Sequence, residues 1–279
     1  MSRLVLLSPT PGSGKTTVAL LLASRLGTAS LSRLGEDANA AGDAALFAHV
    51  ERRGEVELAE APAGDASVAD SWPAIVVADP TEQAANLADF CRSVGDRLVG
   101  AILNRVPARR RDRIVNELQT KGVEVLFALP EDRILAAPSL DDVAGALNAT
   151  AVFFDSDGKM LLDGAVIASI SADPGQGYFV HRNAASVIVR SDKPDLQLAA
   201  LNAGATCLIV TGGLPLLGYV KERAAGDEIP LIRTDMETGD AVKSIESLYA
   251  SGPFSGSSVK LSRLEELTRD FDASKLLRA

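Results

Sequence analysis

The chain predicts an α/β fold: a mostly parallel sheet with flanking helices, followed by a second, smaller α/β domain. Three observations predict it. Short aliphatic runs alternate with longer amphipathic stretches, the pattern of parallel strands joined by crossover helices. A glycine-rich segment, "SPTPGSGKTT" at 8–17, lies between the first apolar run and the first helical stretch, where such folds turn from strand to helix. Finally, 279 residues exceed one ordinary domain, and turn residues gather near "FFDSDGKM" at 153–160. The boundary is therefore placed near residue 150, giving domains 1–150 and 151–279.

In chain order, "RLVLLS" (3–8) predicts the first strand and "GKTTVALLLASRLG" (14–27) the helix after it. "EVELAEAPAG" (55–64) reads as a second strand running into a turn, and "AIVVADP" (74–80) as a third. "TEQAANLADFCRSVG" (81–95) is helical, "LVGAILNRVP" (98–107) a fourth strand, "RRRDRIVNELQTKG" (109–122) a helix and "VEVLFALPED" (123–132) a fifth strand. "SLDDVAGALNA" (139–149) is a helix capped by Ser139. The second half repeats the logic: "ASVIVRS" (185–191), "TCLIVTGG" (206–213) and "IPLIRTD" (229–235) are strands, and "DLQLAALNAG" (195–204) is a helix. "VKLSRLEELTRDFD" (259–272) is an amphipathic terminal helix with Leu261, Leu264, Leu267 and Phe271 at helical spacing. It serves either assembly or packing on its own domain.

Composition narrows the function. With 47% hydrophobic and 23% charged residues the chain is a folded globule rather than a disordered one. A net charge of −9 argues against a general nucleic-acid or membrane-surface binder. The run Arg109, Arg110, Arg111, Arg113 reads as a solvated helix face, with phosphate contacts as the other possibility. Cys91 and Cys207 have no metal spacing, and His49 and His181 form no catalytic constellation. The opening "MSRLVLLSP" is too short for a signal or membrane segment, so a cytoplasmic protein is expected.

The 8–17 segment carries the chemistry. It follows G-x-x-x-x-G-K-[ST] except that Pro9 stands in the first slot. Such a loop works because consecutive N–H groups and a helix N-terminus converge on an anion. Gly12 and Gly14 permit the left-handed turns it needs, and Pro9 and Pro11 each remove one donor. The later part, Gly12, Ser13, Gly14, Lys15, Thr16 and Thr17, is intact. Lys15 is the catalytic candidate, a cation for β- and γ-phosphates, and Thr16 offers its hydroxyl to Mg²⁺.

On these residues the first half resembles the P-loop group that contains dethiobiotin synthetase and cobyrinic acid a,c-diamide synthase. In that group the loop commonly has one more residue, which sets its first glycine opposite Ser8. The likeness implies ATP and Mg²⁺ as cofactors. "Glu60-Ala61-Pro62-Ala63-Gly64" matches the group's E-G-x-G-G turn, which makes Glu60 a metal ligand or else a solvated strand-end acid. "Gly100-Ala101-Ile102-Leu103-Asn104-Arg105-Val106-Pro107" is similar to its G-x-I-L-N-x-V strand, with Asn104 reading the base or capping a turn. "Leu129-Pro130-Glu131-Asp132" looks like the segment bordering the base pocket, which brings Pro130 to the nucleotide. The stretch 34–55 is short and alanine-rich, a loop plus one helix, where complete synthetases bind their organic substrate. Asp37 or Asp43 within it is either a second metal carboxylate or, as its surroundings favour, part of a structural segment.

The second half is similar to the DRTGG domain over roughly 163–250, its signature standing here as Asp192-Lys193 and Thr211-Gly212-Gly213. Lysine for arginine keeps the charge and loses the planar fork. The glycine turn offers a run of N–H donors beside Asp192, framing a small ligand site, a subunit contact or plain punctuation. Together the halves look like the N-terminal portion of long bacterial phosphotransacetylases, without the acetyl-transferring domain. That resemblance implies a Mg-ATP-binding regulatory protein, a homodimer or the partner of a metabolic enzyme. The alternatives are an ATP-dependent ligase that activates a carboxylate by phosphorylation, and an interaction module with a relict loop. No catalytic base stands out, so whether ATP is hydrolysed stays open.

Overall fold

The computed structural model describes residues 2–35, 40–51, 53–153, 160–168, 179–181, 186–252, 254–273 and 276. The chain divides into two compact units, Met1–Leu135 with Gly256–Ala279, and Ala136–Ser255.

The first unit is built on β1 (Ser2–Leu7), α1 (Lys15–Leu26), β2 (Thr28–Arg33), α2 (Ala40–Ala48), β3 (Val56–Glu60), β4 (Ala74–Ala78), α3 (Ala84–Val94), β5 (Leu98–Val106), α4 (Arg111–Thr120), β6 (Val125–Pro130) and the single turn α5 (Arg133–Ala136). The sheet order is β2-β3-β1-β4-β5-β6, and every neighbouring pair is parallel. Parallel sheets carry helices on both faces, so their strands read as unbroken apolar runs. Leu4, Val5, Leu6 and Leu7 of β1 and all five residues of β4 are buried accordingly. Each such Val, Leu or Ile side chain contributes about 1.5–3 kcal/mol on burial. Val5, Leu7, Val76, Leu87, Cys91 and Leu103 belong to one aliphatic cluster. Burial there pushes the Cys91 thiol up to about 11, so it is an unreactive packing group.

β2 was not expected. "TASLSR" has no apolar run, and pairing with β3 from Thr28↔Val56 to Arg33↔Glu60 makes it a strand. The remaining first-half elements fall where the alternation put them, within a few residues.

The second unit contains α6 (Leu140–Ala146), β7 (Ala151–Phe153), β8 (Ala165–Ile167), β9 (Ser186–Arg190), α7 (Pro194–Asn202), β10 (Cys207–Thr211), α8 (Gly218–Gly226), β11 (Leu231–Arg233) and α9 (Thr238–Ser251). Its sheet runs β7-β11-β10-β9-β8, with β7 antiparallel to β11 and the other pairs parallel. α10 (Ser258–Leu267) returns to the first unit.

Two boundaries thus differ from those read in the sequence. The first unit stops at Leu135 because Leu140, Val143 and Leu147 pack with Ile188, Ile209 and Ile232 of the second sheet. The terminal helix leaves the second domain because its contacts lie in the first unit. Arg25 donates to Glu265 O at 2.9 Å, Arg263 pairs with Asp132 at 2.8 Å, and Phe271 stacks on Phe127 at 4.8 Å between centroids. Leu264 is 2% and Phe271 9% exposed, while Leu261 is 37% exposed, so part of the stripe is buried in its own unit. The turn residues at 154–159, and Asp37, lie outside the described residues.

Candidate functional site

Chain order reverses about β1, which has β3 on one side and β4 on the other. In open parallel sheets that reversal leaves a crevice at the strand carboxyl ends. The β1–α1 loop (residues 8–14) sits at this end. Gly12 and Gly14 take φ of 74° and 86°, the left-handed region that glycine enters without strain. Gly14 is the N-cap of α1 and supplies no side-chain cap. The first N–H groups of a helix lack intrahelical partners, so they point a partial positive charge into the loop.

The strand ends bring a row of charged groups to this loop. Arg33 closes β2, Glu60 closes β3, Asp79 follows β4, and Asn104 with Arg105 lies near the end of β5. Lys15 is 6% exposed and its Nζ donates to Ser8 Oγ at 2.7 Å. Ser8, fully buried, donates in turn to Thr10 O at 2.9 Å. The hydroxyl of Ser13, a residue only 2% exposed, is buried without a hydrogen-bond partner among the described residues. An orphaned hydroxyl of this kind is rare in a folded interior and marks a place for a ligand or water.

Next to Lys15, Thr16 Oγ1 lies 3.2 Å from Asp43 Oδ1 and 3.1 Å from Glu60 Oε2. Arg33 Nη1 donates to Asp43 Oδ2 and to Glu60 Oε1 at 3.0 Å. Glu60 is 3% exposed, and its carboxyl is pushed up from 4.5 to about 7. Burial is the main cause and the neighbouring Asp43 charge the second, against the pull of Lys15, Arg33 and the Thr16 hydroxyl. Glu60 is therefore no solvated acid. Asp43, which its alanine-rich surroundings favoured as structural, belongs to the same cluster.

The oxygen set fits a hard divalent cation. Octahedral Mg²⁺ with ligands at 2.0–2.1 Å sets neighbouring oxygens about 2.9 Å apart. The two hydroxyl–carboxylate separations above are close to that edge. Among the described residues no group of three or more His, Cys, Asp or Glu gathers for a metal, so the donors here are two carboxylates and one hydroxyl.

Asn104 serves the loop. Its Nδ2 donates to Ser13 O at 3.2 Å, which uses one of the two N–H donors of the amide. A Cβ on Gly14 would stand 1.8 Å from that nitrogen. Arg105, which the sequence reading passed over, adopts φ 56°, donates to Gly12 O at 2.6 Å and pairs with Asp79 at 2.6 Å. Only an arginine sitting just past an amide on a strand end could have hinted at this clamp. Pro130 ends β6 on the edge strand, paired with Val106, with β4 and β5 between it and β1. Thr17 is buried in the first turn of α1. The four arginines at 109–113 are exposed, as a solvated face requires.

In the second unit, Asp192 accepts both ends of Arg190 at 2.9 and 2.8 Å, and Lys193 is the N-cap of α7. Thr211 is buried and shares a 2.8 Å hydrogen bond with Thr238. Gly212 and Gly213 take φ of 87° and 74°, but Gly212 N donates to Met236 O at 2.8 Å and Gly213 N to Thr234 O at 3.3 Å. The expected run of ligand-facing donors is therefore engaged inside the unit, because the 234–236 segment lies alongside the turn. Arg233 is the cation at this turn. It donates to Gly213 O and to Leu214 O at 3.1 Å, while Lys193 stands at the neighbouring strand end.

The DRTGG domain family matches residues 142–248, so this part of the chain is a DRTGG domain. The match begins earlier than the likeness read from the sequence, since it takes in most of α6 and all of β7. Among solved structures the chain is similar to the CBS and DRTGG domains of the regulatory region of a Clostridium perfringens pyrophosphatase, complexed with its activator diadenosine tetraphosphate. Identity is 20% and the TM-score 0.35, over 43% of this chain and 50% of that one. It is also similar to Anabaena Alr3699/HepE in complex with UDP, at 11% identity and a TM-score of 0.30, over 100% of this chain and 98% of that one. The chain spans half the length of the first of these structures. Among the described residues no helix is long and apolar enough to cross a membrane.

Proposed function

We propose that the first unit binds a magnesium–nucleoside triphosphate, ATP by resemblance, on the β1–α1 loop. On this reading the occupancy of the loop is coupled to the DRTGG domain, and the protein is a regulator. The observation that carries it is the convergence of Lys15, Thr16, Asp43 and Glu60 at the switch point of a parallel sheet, beside an uncapped helix N-terminus.

The residues take these roles. The N–H groups of Gly14 to Thr17 receive phosphate oxygens, and Lys15 leaves Ser8 to place its ammonium among them. The buried Ser13 hydroxyl gains a partner there. Thr16, Asp43 and Glu60 hold the metal, which when bound neutralises charge between the outer phosphates. Asn104 and Arg105 keep the loop shaped through Ser13 O and Gly12 O. Pro130 borders the base in this proposal by resemblance alone. The DRTGG match supports the regulatory half, since domains of that class are typically regulatory and bind nucleotides. Coupling requires that nucleotide bind two conformations of the protein with different affinity. Action in the cytoplasm as a homodimer, or on a partner metabolic enzyme, completes the proposal. Its second-domain ligand site is the region of Asp192, Lys193 and Thr211 to Gly213.

A fluorescent ATP analogue titrated with Mg²⁺ tests the binding claim. Wild type should give saturable binding, and Lys15→Ala should weaken it by about 100-fold, the loss expected for a desolvated charge–phosphate contact of roughly 3 kcal/mol. Equal binding by both proteins contradicts the assignment.

A further inference from the structure

Arg33 has no place in the phosphate-loop pattern, yet it is built into the oxygen cluster. Its side chain is 6% exposed, against 11% for Asp43 and 3% for Glu60. One nitrogen, Nη1, reaches both carboxylates, taking Asp43 Oδ2 and Glu60 Oε1. The other oxygen of each acid lies nearer Thr16 Oγ1, Asp43 Oδ1 at 3.2 Å and Glu60 Oε2 at 3.1 Å, with Glu60 Oε1 farther at 3.4 Å. Arg33 thus holds one oxygen of each carboxylate and leaves the other as the nearer one to Thr16. A guanidinium keeps its charge at every physiological pH. Among the described residues, with Lys15 beside the same cluster, two cations stand against two carboxylates.

We propose that Arg33 is a fixed counter-ion that makes divalent-metal binding at Thr16, Asp43 and Glu60 dependent on the triphosphate. The inference rests on the nucleotide reading above and deepens it. A dication arriving alone meets a cluster whose negative charge is already balanced. A triphosphate adds the charge that the cation requires, while Arg33 holds the carboxylates with Oδ1 and Oε2 nearer Thr16. Nucleotide then strengthens metal binding, so the loop responds to the metal–nucleotide complex more than to free cation. Arg33 is a positioning residue, acting through Asp43 and Glu60.

Mn²⁺ is the probe, with the free ion read by electron paramagnetic resonance on the full chain, without nucleotide and then with a non-hydrolysable ATP analogue. In wild type Mn²⁺ alone should bind weakly, and the analogue should tighten it by at least about tenfold. Arg33→Gln should bind Mn²⁺ alone at least about tenfold tighter than wild type, the water-screened value of removing one positive charge a few ångström from a dication. Arg33→Lys, which keeps the charge, should bind Mn²⁺ alone as weakly as wild type. Thermal unfolding of each variant establishes that it is folded. Arg33→Gln no tighter than wild type, or Arg33→Lys equal to Arg33→Gln, overturns the proposal. Wild type that binds Mn²⁺ alone as tightly as with the analogue overturns it without any variant. Failure of the analogue to bind wild type defeats the nucleotide reading instead, and the Mn²⁺-only comparison still decides whether Arg33 is the counter-ion.

Discussion

Glu60 concentrates the physics of the site in one carboxyl group. Its pKa in the folded chain is about 7, against 4.5 for the ordinary group. Between those values the folded chain holds a proton that the unfolded chain has already released. Stability from this group therefore falls as pH rises from about 4.5 to about 7, and is level above that. The span corresponds to about 3 kcal/mol. Glu60→Gln, which keeps the shape and removes the titration, should raise the melting temperature relative to wild type at pH 8 and leave it nearly unchanged at pH 5. Parallel melting curves at the two pH values check this, and an equal effect at both would place the strain elsewhere. Glu60 was legible as a strand-end acid with two possible roles. What the sequence could not display was Arg33 across the β2–β3 pair, because the register that joins them exists only once β2 has formed.

At the scale of elements, the loop depends on β5. Asn104 and Arg105 project from that strand to Ser13 O and Gly12 O, so strand and loop form one mechanical piece. A non-glycine residue at φ 56° is uncommon, and such strain persists only where the surroundings fix it. Gly14→Ala would drive its Cβ into the Asn104 amide, 1.8 Å away, and would also strain φ 86°. We expect it to cost roughly 2–4 kcal/mol by clash and backbone strain together. Gly14→Ala with Asn104→Ala should recover the clash share while the strain remains, a coupling read by denaturant unfolding of the four-protein cycle. Strict additivity would show that the two residues do not meet. The long apolar strands and the capped α6 were readable because period and capping chemistry are local: Ser139 and Asp142 cap each other reciprocally. β2, β7 and β8 were not, since polar or three-residue strands owe their state to neighbours far along the chain. The Gly212-Gly213 turn was placed correctly, but the acceptors of its two N–H groups, Met236 O and Thr234 O, come from a later segment and could not be read locally.

At the scale of the molecule, one chain carries a DRTGG domain at 142–248 and a parallel-sheet unit with a charged loop at its switch point. The chain carries a net charge of −9, while a helix N-terminus and Lys15 place local positive charge at that loop. If nucleotide state regulates, its effect must extend beyond the loop. Hydrogen exchange of the full chain with and without Mg-ATP should show slowed exchange at residues 8–17 together with altered exchange within 186–252. Change confined to the first unit would leave binding intact and remove the coupling.

The claim beneath all of this is that the 8–17 loop opens to a triphosphate although Pro9 and Pro11 withhold two donors. A crystal structure grown with Mg²⁺ and a non-hydrolysable ATP analogue tests it most directly. The account predicts phosphate density against the N–H groups of Gly14 to Thr17, with Lys15 moved off Ser8 Oγ and the metal on Thr16, Asp43 and Glu60. Lys15 still bonded to Ser8, with nucleotide absent from the loop at saturating concentration, would contradict it.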